Sequence, residues 1–226
     1  MSGTIDSKTT TPSPRPIAIT DADAGDTCRR ALTEAAQKAG LDRLSAALSA
    51  GDDPWAQFLV GVASNAPFLA GALQRHVVHL ADLPDQSIDA FIDEAVSTID
   101  ALARTAVPAN VSEQALSRQL RELKSRAHLF IALGDLSGAH TVEQTTMFLS
   151  RLAEAALNAA INWLLRDLDD KGKLALADGG DPATGSGLIV LGMGKLGACE
   201  LNYSSDIDLV VFFDHDAPRL TWAEPY

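Results

Sequence analysis

The segment GLIVLGMGKLGACELNYSSDIDLVVFFD, residues 187–214, differs in character from the sequence before it. Residues 187–191 are rich in leucine and β-branched residues and predict a short strand, and residues 207–213 predict a second strand. Between them lie the glycine run GMGKLG and residues 198–205, which we expect to form a short helix. The segment is therefore predicted to fold as strand, tight turn, short helix and strand.

The chain before this segment has a helical pattern. From residue 25 to about residue 170, Ala and Leu dominate, and apolar residues recur at three- and four-residue spacing. Asp53 followed by Pro54 is typical of a helix N-terminus, and Thr141 opens the longest predicted helix. The apolar stripe expected on that helix comprises Phe148, Leu149, Leu152, Ala156, Ala159, Trp163 and Leu164.

These patterns predict an α+β fold that is mostly α, in four parts. Residues 1–24 are rich in Thr, Ser and Pro without an apolar period, which predicts a flexible tail. Residues 25–170 are expected to form a helical bundle, and residues 171–186 a loop rich in Gly, Asp and Pro. Residues 187–226 are expected to begin a second, incomplete domain.

Composition narrows the classes of function. Of the 226 residues, 18 are Lys or Arg and 30 are Asp or Glu, so the net charge is −12, which argues against a passive nucleic-acid binder. Two cysteines cannot build a disulfide framework, and the N-terminus lacks the apolar core of a signal peptide. No apolar run is long enough to cross a membrane. We expect a cytoplasmic protein without nucleic-acid or membrane partners.

The three glycines of the turn admit more than one interpretation. Gly192, Gly194 and Gly197 fit the G-x-G-x-x-G pattern of dinucleotide-binding turns, with Asp214 near the place of the ribose-binding acid. The interval before the second strand is too short for the usual crossover helix, and further strands would be needed. A Walker A loop is excluded because Leu follows Lys195 where Ser or Thr is required.

The acidic pair beside the turn points to metal chemistry. Asp206 and Asp208 are two apart at the start of the second predicted strand, so their carboxylates should project together. Paired carboxylates repel unless a cation lies between them, and hard oxygen ligands suit Mg²⁺ or Mn²⁺. The backbone N–H groups of the turn, the N-terminus of the short helix and Lys195 would attract phosphate. Together these features predict a metal-assisted nucleotidyl-transfer site.

Each of these residues also has a simpler interpretation. A D-x-D pair at a strand start is often a solvated turn, and Lys195 could be an ordinary surface residue. Glu200 could be a third acid near the metal, satisfy local N–H groups, or pair with Lys195. Cys199 is expected to be a buried, inert thiol in the short helix, because no His lies at ligand spacing.

The pattern G-x-G-K-x-G-x-x-E-L-x-x-x-S-D-x-D resembles the signature of the bifunctional glutamine-synthetase adenylyltransferase/adenylyl-removing enzymes, a branch of the DNA-polymerase-β-like nucleotidyltransferases. The helical stretches DPWAQFLVGVASNAPFLAGAL and RQLRELKSRAHLFIALGDLSG also resemble that family. The resemblance implies a metal-binding pair, Asp206 and Asp208, and a phosphate-binding and turn-shaping set, Gly192, Gly194, Lys195, Gly197 and Ser205. Glu200 matches an acidic position of the pattern, but the resemblance does not indicate its role.

The resemblance also implies the biology of the whole protein. In such proteins the N-terminal half removes AMP from a tyrosine of glutamine synthetase by phosphorolysis to ADP, and the C-terminal half attaches AMP from ATP. The implied partners are glutamine synthetase, ATP, ADP, phosphate and a PII-type signal protein, with Mg²⁺ or Mn²⁺ as cofactor. A third carboxylate is expected on a later strand, so we expect this chain to be a piece of the adenylyl-removing half. The alternatives are an inert helical interaction module and a nucleotidyltransferase acting on RNA ends or another substrate.

Overall fold

The computed structural model describes residues 13–176 and 181–214, so parts of the predicted tail, loop and last domain lie outside the described residues. Nine helices and two strands are assigned within these ranges. In chain order they are α1 Ala22–Lys38, α2 Asp42–Ala50, α3 Pro54–Asn65, α4 Pro67–Arg75, α5 Val77–Leu80, α6 Ile88–Thr105, α7 Glu113–Ser137, α8 Val142–Asp170, β1 Leu188–Gly192, α9 Gly194–Gly197 and β2 Leu209–Phe213. The predicted mostly-α, α+β fold class is confirmed.

Helix ends follow from local side-chain chemistry. The Asp53 carboxylate accepts a 2.8 Å hydrogen bond from the N–H of Ala56, and Pro54 occupies the first turn of α3, as the sequence predicts. Gly40 and Gly51 follow α1 and α2 with φ of +70° and +74°, a conformation that glycine adopts without a steric cost. These residues separate the short helices near the start of the chain.

The sequence predicts a flexible tail to residue 24, whereas α1 begins at Ala22 and the residues before it are in contact with α3. The side-chain amide of Asn65 donates to the carbonyl of Ala18 at 2.9 Å, and a side chain at Gly61 would overlap the backbone of Ile17. The Asp21 carboxylate caps α1 by accepting from two backbone N–H groups. The remaining domain limits stay a prediction.

The contacts divide the chain into two compact units, of which the first comprises residues up to Ile92 and Leu129–Thr141. Here α1 packs on α2 and α3, and α3 packs on α4. The rings of Phe91 and Phe130 stack with centroids 4.4 Å apart, and buried His140 contacts the carboxylate of Asp89 at 2.7 Å. Fully buried side chains of this unit include Leu32, Leu48, Phe58, Leu73, Leu80 and Ile92.

The second unit comprises Asp93–His128 and the chain from Val142 onward. Trp163 of α8 packs against Ala106 and Leu116, and its indole N–H donates to the carbonyl of Val111 at 2.8 Å. The guanidinium of Arg166 donates to the carbonyls of Ala103 and Arg104 in the last turn of α6 and to that of Ala106 just after it. Carbonyl groups in the last turn of α6, which lack donors within their own helix, thereby accept hydrogen bonds from a side chain of α8.

The buried face of α8 differs in one place from the predicted stripe. Leu149, Leu152, Ala159 and Trp163 are buried, as predicted. Leu164, however, is 51% exposed. Each residue advances about 100° around a helix, so Leu164 lies far from the centre of the face that the buried residues define. The predicted stripe was too wide at this end.

The two strands form an antiparallel sheet. Leu188 pairs with Phe213 and Gly192 with Leu209, and among the described residues β1 and β2 pair only with each other. A dinucleotide-binding βαβ unit needs parallel strands with a crossover helix, so that interpretation of the glycines does not fit. Within the described residues, no helix combines the length and apolar character required to cross a membrane.

Candidate functional site

The glycine turn lies at the end of β1, and its geometry favours glycine at two positions. The chain leaves the strand at Gly192 and enters α9 at Gly194, whose φ is +54°. The N–H of Gly197 donates to the carbonyl of Met193 at 3.1 Å, and a Cβ at Gly197 would overlap the carbonyl oxygen of Gly192. Gly194 therefore permits the backbone conformation and Gly197 permits the close approach.

The helix after this turn ends in a Schellman motif. The N–H of Glu200 donates to the carbonyl of Lys195 at 2.7 Å, and the N–H of Cys199 donates to that of Leu196 at 3.0 Å. Cys199 has φ of +57° and is exposed. The predictions of a helix over residues 198–205 and of a buried Cys199 were therefore wrong. The helix lies within the glycine run itself, and the chain reverses at Cys199.

The segment from residue 198 to residue 208, which we call the acidic loop, brings Asp208 to the turn. The backbone N–H of Met193 donates to the carbonyl of Asp208 at 2.8 Å, which extends the strand pairing by one bond. A Cβ at Gly194 would lie 3.3 Å from Oδ2 of Asp208, so this carboxylate lies directly beside the turn. The antiparallel register thus delivers one predicted metal ligand to the predicted phosphate-binding turn.

The sequence predicts that Asp206 opens the second strand, but β2 begins only at Leu209. The reason is that Gly194 turns the chain away after Met193, so no residue of β1 remains to pair with Asp206. Both aspartates are exposed, and Asp206 lies two residues before Asp208 in the irregular loop. Strand pairing therefore does not make the carboxylates of Asp206 and Asp208 project to the same side, although the sequence pattern predicts that it does.

Lys195 contacts the acidic loop from α9. Its Nζ donates to Oγ of Ser205 at 3.4 Å, and that hydroxyl donates to Oδ1 of Asn202 at 2.7 Å. Asn202 was not among the predicted site residues, although it stands within the same sequence pattern. The side chains of Lys195, Ser205 and Asn202 therefore connect α9 to the acidic loop.

The donor set suits a divalent cation only in part. Carboxylate oxygens from Asp206 and Asp208 are hard ligands that Mg²⁺ accepts, with substrate phosphate oxygens completing its shell. Among the residues that the structure describes, no three His, Cys, Asp or Glu side chains are grouped to hold a metal, so Glu200 does not complete a triad with the two aspartates. The described residues fit a metal that is shared with a substrate.

The predicted attraction for phosphate would come from N–H groups and Lys195 more than from a helix dipole. The sequence predicts a short helix whose dipole adds positive potential, but α9 spans only four residues, Gly194–Gly197. A single turn aligns too few peptide units to build a substantial macrodipole. The exposed Lys195 and the N–H groups at the start of α9, which have no carbonyl of their own helix to bond, are the positive features that remain.

Two residues of the long helices contact the acidic loop and were missed by the sequence analysis. The hydroxyl of Ser150 on α8 accepts from the N–H of Leu201 at 3.3 Å. The ring of His128 on α7 meets that of Tyr203 edge-on, with centroids 6.4 Å apart. Burial, aided by the charge of Lys124, lowers the pKa of His128 to about 4. The one sequence feature that could have indicated these contacts is Ser150, a polar residue beside the apolar stripe of α8.

Comparison with known proteins relates this site to a family. Residues 56–223 match the family described as glutamate-ammonia ligase adenylyltransferase. The chain is similar to several proteins named bifunctional glutamine synthetase adenylyltransferase/adenylyl-removing enzyme. That of Mesorhizobium japonicum is 44% identical over 189 residues, covering 84% of this chain and 19% of the relative.

Two further relatives carry the same name. The protein of Rhizobium meliloti is 39% identical over 208 residues, covering 92% of this chain and 20% of the relative. That of Bartonella quintana is 38% identical over 198 residues, covering 88% and 20%. The chain thus spans about a fifth of the length of the curated relatives it matches.

Proposed function

Because the chain belongs to the glutamate-ammonia ligase adenylyltransferase family, we propose that it carries part of a metal-dependent nucleotidyltransferase site that acts on glutamine synthetase. The observation that carries the proposal is the contact of the Asp208 carboxylate with the turn at Gly194. A carboxylate, a lysine and backbone N–H groups meet there on an exposed surface, as metal-assisted phosphate chemistry requires.

The proposed reaction of this site is the removal of AMP from a tyrosine of glutamine synthetase. An oxygen of inorganic phosphate attacks the α-phosphorus, and the bond from that phosphorus to the tyrosine oxygen breaks. The products are ADP and a tyrosine hydroxyl, whose oxygen takes up a proton. The names of the relatives, which combine adenylyltransferase with adenylyl-removing activity, support this assignment.

Each described residue has a proposed role in that reaction. Asp206 and Asp208 would hold Mg²⁺ or Mn²⁺, which when bound polarises the phosphoryl oxygens and offsets developing charge. Lys195 and the N–H groups of the glycine turn bind and orient the phosphates. Ser205 holds Lys195 toward the acidic loop through their 3.4 Å hydrogen bond. The role of Glu200 is to close the helix end through its backbone N–H.

The proposal extends to the protein that contains this chain. It places the chain in the adenylyl-removing half of a longer protein, with AMP attachment from ATP in a second half. The match to about a fifth of each relative supports a longer protein, and the adenylyl-removing half is assigned by the resemblance of the glycine turn and its helical leader. A third carboxylate on a further strand, a PII-type signal protein as regulator and a cytoplasmic location belong to the same proposal.

The experiment places this chain in the corresponding region of the full-length Mesorhizobium japonicum relative. Release of ADP is then measured from adenylylated glutamine synthetase supplied with phosphate and Mg²⁺. We expect Asp208→Asn to lower the rate by about 100-fold or more, since charge stabilisation at the reacting phosphate is lost.

Asp214→Asn is the matched control. Asp214 lies at the opposite end of the hairpin, where its N–H donates to the carbonyl of Gly187 at 2.8 Å. We expect this variant to retain activity, because that end of the sheet is remote from the turn. Equal activity in wild type and Asp208→Asn would contradict the proposed site, and a loss confined to Asp214→Asn would favour a ribose-binding acid instead.

A further inference from the structure

The acidic loop has neither helix nor strand, so individual contacts must determine its shape. Leu201 is 6% exposed, whereas Asn202, Tyr203 and Asp206 are all exposed. Leu201 is therefore the point at which the loop is buried in the second unit, and the chain returns to the surface immediately afterwards. The contacts that hold Leu201 therefore also set the position from which the chain continues to Asp206 and Asp208.

Ser150 is the residue that receives Leu201. It is 3% exposed on α8, where its near neighbours in sequence Leu149 and Leu152 are also buried. Its hydroxyl donates to the carbonyl of Thr146 at 2.8 Å and accepts from the N–H of Leu201 at 3.3 Å. A buried serine within an apolar helix face is costly unless both functions of its hydroxyl are used, as they are here.

A second contact follows two residues later. The ring of His128 meets the ring of Tyr203 at an interplanar angle of 86°. Because the pKa of His128 is lowered to about 4, the ring is neutral near physiological pH and packs as an uncharged aromatic group. Ser205 then bonds Lys195, so the loop is held by α8, α7 and α9 in turn.

We propose that Ser150, with His128 as a second anchor, is a positioning residue that sets the geometry of Asp206 and Asp208 relative to the glycine turn. This inference rests on the proposed function and deepens it, because it makes the long helices a part of the site.

The test compares Ser150→Ala, Ser150→Thr and Ser64→Ala in the whole 226-residue chain. Ser64 is the matched control, since its hydroxyl donates only along its own helix, to the carbonyl of Gly61 at 3.1 Å. Hydrogen exchange at the Leu201 amide reports the position of the loop. Binding of Mn²⁺, followed by electron paramagnetic resonance, reports the aspartates.

We expect Ser150→Ala to speed exchange at Leu201 and to weaken Mn²⁺ binding, each by about 3- to 10-fold, as the loss of one buried hydrogen bond predicts. Ser150→Thr should restore both values, because it keeps the hydroxyl. Ser64→Ala should change neither. Tyr203→Ala, at a position that is 40% exposed, should reproduce the loss of Mn²⁺ affinity.

The outcomes distinguish the two proposals. If Ser150→Ala and Tyr203→Ala leave Leu201 exchange and Mn²⁺ affinity at the wild-type values, the positioning role is refuted, even where the melting temperature falls. If the wild-type chain binds no Mn²⁺ while exchange still responds to Ser150→Ala, the proposed metal site fails and the positioning role fails with it. Loss of both properties in Ser150→Ala, with rescue in Ser150→Thr, supports the inference.

Discussion

At Cys199 a residue with a side chain occupies the left-handed position that closes α9. Glycine is favoured there because a Cβ crowds the following carbonyl. We expect Cys199→Gly to raise the free energy of unfolding by about 1 kcal/mol, measured by urea denaturation. The same substitution at Cys28, within α1, should lower it by about 1 kcal/mol, since glycine weakens a helix interior. Shifts of the same sign would contradict this account of Cys199.

His128 makes stability depend on pH. Its pKa is lowered from 6.5 to about 4 in the folded chain, so the unfolded chain binds the proton more tightly between these values. The free energy of unfolding should therefore fall as pH decreases from about 6.5 to about 4, by about 1–2 kcal/mol after allowance for partial exposure.

The check is the melting temperature across that pH range for wild type and His128→Gln. The variant should remove most of the His128 part of the slope. Lys124→Gln should remove a smaller part, because burial is the larger cause of the shift and the charge of Lys124 the lesser one. Identical profiles for wild type and His128→Gln would show that this histidine does not contribute.

Among the elements, the β1–β2 hairpin presents apolar side chains on both of its faces. Ile189 and its partner Phe212 are 50% and 52% exposed on one face, and Val211 is 60% exposed on the other. Among the described residues, each strand also has one edge without a partner strand. Such a hairpin is a template for further pairing.

We expect the chain to self-associate through this hairpin at micromolar concentrations or above. Phe212→Lys should shift the association, followed by sedimentation velocity, to higher protein concentration, because a charge on an edge strand opposes pairing. Phe68→Lys, at a residue equally apolar and more exposed on α4, is the control and should change the association less. Equal effects of the two substitutions would indicate general hydrophobic contact instead.

At the scale of the whole molecule, the net charge of −12 bears on the choice of substrate. Affinity for nucleic-acid backbones depends on basic residues and falls steeply with salt. We expect no salt-sensitive retention of single-stranded RNA by the chain in a filter-binding titration from low to physiological ionic strength. Tight binding that weakens with added salt would favour the alternative of a nucleotidyltransferase acting on RNA ends.

Much of the fold could be predicted from local sequence. The N-terminus of α3 at Asp53 and Pro54 and most of the apolar face of α8 depend on neighbouring residues, and both predictions are confirmed. The limits of α9 could not be predicted, because they depend on the approach of Gly197 to Gly192 and on the conformation of Cys199. Spacing alone does not show either feature.

The residue types of the site could be predicted from the sequence, but the contacts that hold the acidic loop in place could not. Gly194 and Asp208 were both predicted site residues, and the structure brings them together. The contacts of Ser150 with Leu201 and of His128 with Tyr203 join residues about fifty and more positions apart, which no local pattern reveals. Long-range packing therefore decides how the acidic loop is held.

The strand pairing is fixed at both ends, by the bond from Met193 to Asp208 and by the bond from Asp214 to Gly187. The chain between Met193 and Asp208 is consequently a closed span of set length. A residue added to this span would have to be absorbed by the irregular acidic loop, because a register shift of one residue would turn every strand side chain to the opposite face. A change in the length of this span would therefore displace the unpaired Asp206 before it displaced Asp208, whose carbonyl is bonded to Met193.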